Sequence, residues 1–406
     1  MISLFNRKDH GWRDNYNPLR GLSVPKLVSL LEAGERGQYA DLQWFYYYME
    51  RSDAMIYSVL QRRRAALLAV DWDVRLMAHP VGSGQSAVGS AVDRQAAGGK
   101  ADKVLAEEQA AFLMEVYDRI DNFRDAVSFL FSGFFRGFAH VEKHFTDSGM
   151  IHRLEPVEQW FWLRDGLFGD WEYNEHASSS RRRGTPIDQD RFVVFEAVTG
   201  GLNRILSMLF LRKNLSQKDW DSYLEVYGIP SVFLVGPPNT PSTKEAEYQA
   251  VAEQIIADGR GYLPHGSDIK HVGATAGAGR PPFREHLEYL DRQITLAATG
   301  GLLTMLSEAG SGTLAGNAHA RTFLQIARSD AVLLSGVLQR DVDVPLLAKF
   351  FPGQPVLAYF EFSPGTSDES AQIVDDAVRL AGAGYRLDPA ELGAKTGYQL
   401  AVGMAR

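Results

Sequence analysis

Residues 307–318, SEAGSGTLAGNA, place Gly310, Gly312 and Gly316 in one short stretch. Closely spaced glycines let backbone N–H groups approach a phosphate, so a nucleotide cradle is the first chemistry to weigh. A P-loop needs a lysine directly after its second glycine. Here Gly316 is followed by Asn317 and Ala318, with no lysine nearby. A dinucleotide fingerprint needs a preceding strand and G-x-G-x-x-G spacing, whereas this stretch follows helical periodicity and reads G-x-G-x-x-x-G. The glycines fit a segment free to change shape better than a phosphate site. Ser307, Glu308, Ser311, Thr313, Leu314 and Asn317 complete the group, and Glu308 is its only charge.

Other candidates are weaker. HVEKH sets His140, Glu142 and His144 on one face of a strand, but the glutamate is not in the zincin slot, so a solvated strand face is the simpler reading than a metal site. Arg62–Arg64 and Arg181–Arg183 are charge runs. Solvated surface is the default for both, with helix capping open to the first and nucleic-acid contact open to either. Asp219, Asp221 and Glu225 in DWDSYLE read as a solvated helix face. No Ser/His/Asp arrangement or catalytic carboxylate pair stands out, and nothing demands an enzyme.

The elements that hold these residues follow from periodicity. Helical patterning starts at Pro25 and continues through one long run, DLQWFYYYMERSDAMIYSVLQRRRAALLAV. WDVRLMAH alternates as a strand, and 80–100 is a Gly/Ala/Ser-rich loop. Helices are expected near 101–118 and 122–136. FAHVEKHF and IHRLEPV are strands around DSG, WFWLRDG and DWEYNE form a hairpin, and RFVVFEAV is a buried strand. GLNRILSMLFLRKNLSQKDWDSYLEVYG reads as a single helix of roughly 25 residues, about 40 Å long. Gly228 stops it and Pro230 forbids continuation, with Trp220, Tyr223 and Tyr227 near its end. SVFLV is a strand, KEAEYQAVAEQIIAD a helix, and GRGYLPHG with DIKHV a strand pair. Pro281 and Pro282 open a second long helix. A third follows the Gly-rich stretch, then a YFEF strand and the helix ESAQIVDDAVRLAGAG. Two long helices flanking a compact insertion make a stalk with a knob, which needs neighbours for its apolar faces.

Composition bounds the rest. The chain has 406 residues, 45% hydrophobic and 23% charged, which predicts a folded soluble protein of two or three structural regions. The absence of cysteine excludes disulfides and thiolate chemistry. No secretory signal or membrane span is expected. A net charge of −8 argues against a protein that clamps DNA, but not against one past which DNA slides.

The strings LRKNLSQKDWDSYLEVYGIP, GRGYLPHGSDIKHV, QWFYYYMERSDAMIYSVLQRRRAALLAVDWDV and YLDRQITLAATGGLLTMLSEAGSGTLAGNAHA resemble the Mu-like branch of bacteriophage portal proteins, from about residue 17 to 350. The family tends to carry I-L-G-Q-T-L-T where this chain has Ala298 to Thr304. The resemblance implies an α+β portal fold. Its parts would be an N-terminal arm (1–24), a wing (25–200), a first stem helix (201–228), a clip (229–280) and a second stem helix (281–306). A tunnel loop (307–318), a long helix (319–350) and a C-terminal wing or crown region (351–406) would follow. It also implies a ring, typically of about twelve subunits, at a capsid vertex. Double-stranded DNA would pass through the centre. The partners would be the major capsid protein, the terminase large subunit and a head–tail adaptor, with no membrane, cofactor or metal. Assembly would occur in the host cytoplasm. Arg321 and Arg328 would make weak phosphate contacts or, the favoured reading, brace the neighbouring subunit. The rival functions are a nucleotide-binding enzyme using 310–316 and another ring-forming head–tail connector.

Overall fold

The computed structural model describes residues 17–77, 100–177, 182–197, 200–227, 232–235, 238, 241–253, 260–263, 282–301, 313–363, 366–384, 387, 389 and 392–393. The chain divides into two compact units, one of residues 1–205 with 295–406, the other of Leu206–Ile294.

The first unit mixes helices with small antiparallel sheets. The long N-terminal helical run is broken: helices span Ala40–Ser52 and Ala54–Leu68. Asp53 causes the break. Its backbone is extended and its Oδ1 accepts from Met55 N at 2.9 Å and Ile56 N at 3.0 Å, which caps the second helix. The helix Phe123–Arg136 ends at Gly137 (φ 100°), and the strand Phe138–Phe145 starts at once. A Cβ at Gly137 would lie 2.9 Å from Gly200 O, so only glycine fits this reversal.

That strand is the middle of a three-stranded sheet, between Ile151–Val157 and Phe192–Glu196. A second sheet pairs Asp71–Leu76 with Ala358–Ser363, antiparallel. A third joins Trp162–Leu163, Glu172–Tyr173 and Thr185–Pro186. It contributes Trp162 and Tyr173, with Trp171 just before its middle strand, to an aromatic core with Tyr39, Phe138 and Phe161.

The outer strand edges are closed by side chains. Asn122 Nδ2 donates to Leu154 O (2.6 Å) and its Oδ1 accepts from Leu154 N (3.0 Å). On the opposite edge of that sheet, Asp341 Oδ2 accepts from Val194 N (2.8 Å) while Arg340 donates to Val194 O (2.6 Å). In the second sheet, Asp343 Oδ2 accepts from Phe360 N (2.7 Å) and Gln339 Nε2 donates to Phe360 O (2.8 Å). Each clasp imitates the pair of bonds a neighbouring strand would make. Gln339 to Asp343 form one π-helical turn, so a single turn grips the edges of both sheets. Without that turn the helix would present these side chains in a different register. It follows the helix Thr313–Leu338 and precedes the helix Val344–Phe350.

A buried ion pair ties the helices to this body. Arg136 donates from Nε (3.0 Å) and NH2 (2.6 Å) to Glu50, whose Oε1 also accepts from Asn203 at 2.8 Å. Arg136 NH1 reaches Gln159 Oε1 at 3.0 Å.

The second unit holds most of the helix Asn203–Tyr227 and of the helix Phe283–Thr299. Lys213 pairs with Asp291 at 2.6 Å, and Trp220 stacks on Phe283 with 6.3 Å between centroids. Going up one helix goes down the other, so the two pack antiparallel. Gly228 and Pro230 lie outside the described residues, and Tyr227 is the last residue of its helix. The strand Arg260–Leu263 pairs with Val232–Val235 in parallel. DIKHV, its expected partner, lies outside the described residues. The intervening helix Ser242–Glu253 supplies the crossover that a parallel pair requires.

Candidate functional site

The residues that matter are those at the two ends of the Gly-rich stretch and on the helices leading into it. The incoming helix stops at Thr299, earlier than the expected 306. Gly300 takes φ 67° and its N–H bonds to Leu296 O at 2.9 Å. Thr299 Oγ1 lies 2.8 Å from both Thr295 O and Gly301 O, which fastens the exit. The outgoing helix begins at Thr313 rather than 319. Thr313, Leu314, Gly316 and Asn317 are therefore helical, a correction to the loop reading. Gly316 costs the helix about 1 kcal/mol relative to alanine, which the rest of a 26-residue helix offsets. Ser307, Glu308, Gly310, Ser311 and Gly312 lie outside the described residues.

Arg63 links the C-terminal end of the incoming helix to the second half of the outgoing one. Its Nε and NH2 form a fork on Asp330, each bond 2.7 Å, and NH1 donates to Ala298 O at 3.2 Å. The fork is buried, with side-chain exposures of 11% and 4%. The guanidinium also lies 5.7 Å from the Phe134 ring centre. This overturns the solvated reading of Arg63. The sequence held a signal for it: Ile56, Val59 and Leu67, all fully buried, define a stripe on which position 63 falls. Asp330 likewise lies on the buried stripe of Phe323, Ala327, Ala331 and Leu334. Burial pushes the Asp330 carboxyl up, and the Arg63 fork pulls it back in part.

The helices carry apolar residues in water. Ile205 is 56% exposed, Val332 58% and Leu333 49%; Leu296, Leu324, Leu215, Leu224 and Tyr289 are exposed as well. Leu324, Arg328 and Val332 are four apart and form one stripe on the helix Thr313–Leu338. Arg328 is half-buried there, with no ion pair among the described residues. The side chain of Arg321 lies outside the described residues. Elsewhere the turn 165–169 shows Phe168 at 96% exposure.

Trp220 and Tyr223 both meet Phe283, Tyr223 at 5.8 Å, and so join the two long helices of the second unit. Asp219, Asp221 and Glu225 are exposed. Arg182 and Arg183 are exposed too, and Arg183 pairs with Glu172 at 3.5 Å.

The HVEKH strand is not a solvated face. His140 stacks on Trp162 at 3.9 Å and meets Trp171 edge-on at 4.5 Å. Burial drives its pKa well below the ordinary value, so the ring is neutral. Glu142 is buried against Arg191 at 2.8 Å. The short third sheet covers this face, which an alternation pattern does not reveal. Among the described residues no group of three or more histidines or carboxylates could hold a metal.

A cavity of about 100 Å³ lies among Tyr39, Arg136, Arg164, Glu196 and Arg204. It is too small for a nucleotide, whose pockets run to ~300–1,000 Å³. Its arginines are paired: Arg136 with Glu50, Arg164 with Glu196, Arg204 with Glu35. No helix of the described residues is long and apolar enough to cross a membrane.

A family profile described as the portal protein of Mu bacteriophage matches residues 43–398. The Mu-like prophage FluMu protein gp29 of Haemophilus influenzae is 26% identical over 388 residues, covering 91% of this chain and 69% of that one. The portal protein of Escherichia phage Mu is 24% identical over 353 residues, covering 83% and 62%. The chain thus spans roughly two thirds of the length of these relatives. Among solved structures, the neck of a native gene transfer agent particle computed with C12 symmetry is similar in fold, with TM-score 0.51, 13% identity and coverage of 93% and 94%. The virion of the native particle gives TM-score 0.50, 13% identity and coverage of 92% and 93%.

Proposed function

The chain belongs to the family of portal proteins of Mu bacteriophage, and on that premise we propose that it assembles into a ring, typically of about twelve copies, at the capsid vertex. Proteins of this family are generally structural rather than enzymatic. Double-stranded DNA passes through the ring during packaging and ejection. ATP hydrolysis belongs to a separate terminase large subunit, which docks first and gives way to a head–tail adaptor. The major capsid protein surrounds the ring, and assembly takes place in the host cytoplasm.

The observation that carries this reading is the apolar surface on long helices. Val332, Leu333 and Ile205 are each about half exposed or more, on helices with well-buried opposite faces. Solvated helices do not need such residues, whereas a closed ring buries them against the next copy. Arg328, within the stripe, suits the same contact, because arginine is enriched at interfaces.

Charge supports a conduit rather than a clamp. Each copy carries −8, so a ring of about twelve repels phosphate and lets DNA move with little friction. The stretch from Ser307 to Gly312 is assigned to the channel, where its glycines permit change of shape and its composition offers no lysine or arginine to hold DNA. The second unit contains the proposed stem and clip, with Trp220, Tyr223 and Phe283 bracing the stem pair.

Gly312→Pro tests the channel assignment. Rings should form as in the native protein while particles package or retain less DNA. Normal DNA content in particles built with this variant would remove the assigned role.

A further inference from the structure

We propose that the turn Asp165–Gly169 of one copy docks, through Leu167 and Phe168, into a hollow at the far end of the strand Phe138–Phe145 of a second copy. The contact rests on the ring reading and supplies one of the joints by which the ring closes.

Phe168 is 96% exposed and Leu167 48%, side by side at the tip of the turn. The tip stands on a fixed base. Gly169 N–H closes the turn onto Asp165 O at 3.1 Å, and Arg164 N–H bonds to Gly37 O at 3.1 Å. The Arg164 guanidinium donates to the Tyr39 hydroxyl at 2.8 Å, pairs with Glu196 at 3.1 Å and lies 4.3 Å from the Trp171 ring centre. An aromatic tip held in advance loses little freedom on docking. So exposed a ring gains almost nothing from its own fold. Asp165 and Asp170 flank it and are exposed. The surface that matches is a hollow with an aromatic wall and cations beside it.

The chain carries one. A cavity of about 550 Å³ is lined by Lys143, His144, Phe145, His152 and Arg191, with Asp147 as the one carboxylate of that lining. This volume is in the range of about 300–1,000 Å³ that takes up ligand-sized groups. Phe145 is 42% exposed, and Lys349 Nζ stands 5.8 Å from its ring centre. Tip and hollow lie apart within one copy. Trp171, two residues beyond the turn, packs 4.6 Å from Phe138, the first residue of the strand, whereas the hollow holds Phe145, the last. Seven residue steps separate them by roughly 23 Å. Complementary surfaces at opposite ends of one sheet make a head-to-tail contact, the kind that repeats around a ring.

The chain has no cysteine, so introduced thiols are unique. The test uses assembled full-length protein carrying both Phe168→Cys and Asp147→Cys, treated with a short bismaleimide. A covalent ladder of two, three and more copies is expected, with nothing beyond two from either single variant. Phe168→Asp should raise the protein concentration needed for assembly about tenfold or more, and leave thermal unfolding of the single subunit unchanged because the side chain is exposed. Where the native chain forms rings, native assembly by Phe168→Asp or the lack of a ladder would overturn the contact and leave the ring reading standing. In particles, a link from position 168 to a different protein would overturn it as well. A native chain that forms no ring at any concentration would remove both.

Discussion

The strand edges and the helix faces of this protein are finished in opposite ways. Leu154, Val194 and Phe360 each have both outward backbone groups taken by side chains from elsewhere in the fold. Val332, Leu333 and Ile205 leave apolar area in water. An open edge would recruit any strand, because backbone pairing carries little sequence information. An open helix face recruits only a surface of matching shape. A subunit that must join its neighbours in one register gains from closing the first and leaving the second.

Removing a clasp should have the largest effect on stability. Asp343→Ala strands Phe360 N–H and the Tyr117 hydroxyl, which now lies 2.6 Å from Oδ1, and should cost about 2–5 kcal/mol in denaturant unfolding. Asn122→Leu strands both groups of Leu154 and should cost about 2–4 kcal/mol, with more association at high concentration because an edge is freed. A loss below about 0.5 kcal/mol in either variant would break the edge half of the comparison.

A smaller effect follows from acidity. Burial pushes the Asp343 carboxyl up to about 7, and its bonds to Phe360 and Tyr117 only partly oppose this. The folded state thus keeps a proton that the unfolded chain releases near pH 4, and this contribution to stability fades as pH rises towards about 7. His140 acts in the opposite sense: the unfolded chain gains a proton below about pH 6.5 that the buried ring refuses, so stability falls with acid. Against Asp343→Asn as reference, the native protein should lose relative stability between pH 5 and pH 8. A constant difference would show that Asp343 is ionised throughout.

The smallest effect on the isolated fold is expected at the open faces. Val332→Ser should change subunit stability by less than about 0.5 kcal/mol, because no buried contact is lost. A large loss would mean that this face already belongs to the core.

Much of this was legible in the sequence, and the gaps share a cause. Periodicity marked the long helices, the DSG turn marked the strands around residues 140 and 155, and an apolar run marked the strand around 194. Asp53 went unread because a cap inside a continuous helical pattern looks like one more polar residue. The burial of Arg63 could have been found, since it sits on the apolar stripe of its helix. The clasps could not. Gln109 closes on Leu357 and Pro355 across 248 and 246 positions, and no local pattern marks such pairs. The π turn that aims Asp341 and Asp343 at two sheets is equally silent in composition. The covering of His140 by Trp162 and Trp171 depends on a third sheet made of two-residue strands, too short for alternation to register.

The most direct test of the central claim is native mass spectrometry with electron-microscope class averages, applied to the native chain and to Val332→Asp with Leu333→Asp. Closed rings with a central hole are expected for the native chain, and folded single subunits for the variant. Rings of the same mass from the variant, or a compact native monomer or dimer that binds nucleotide, would contradict it.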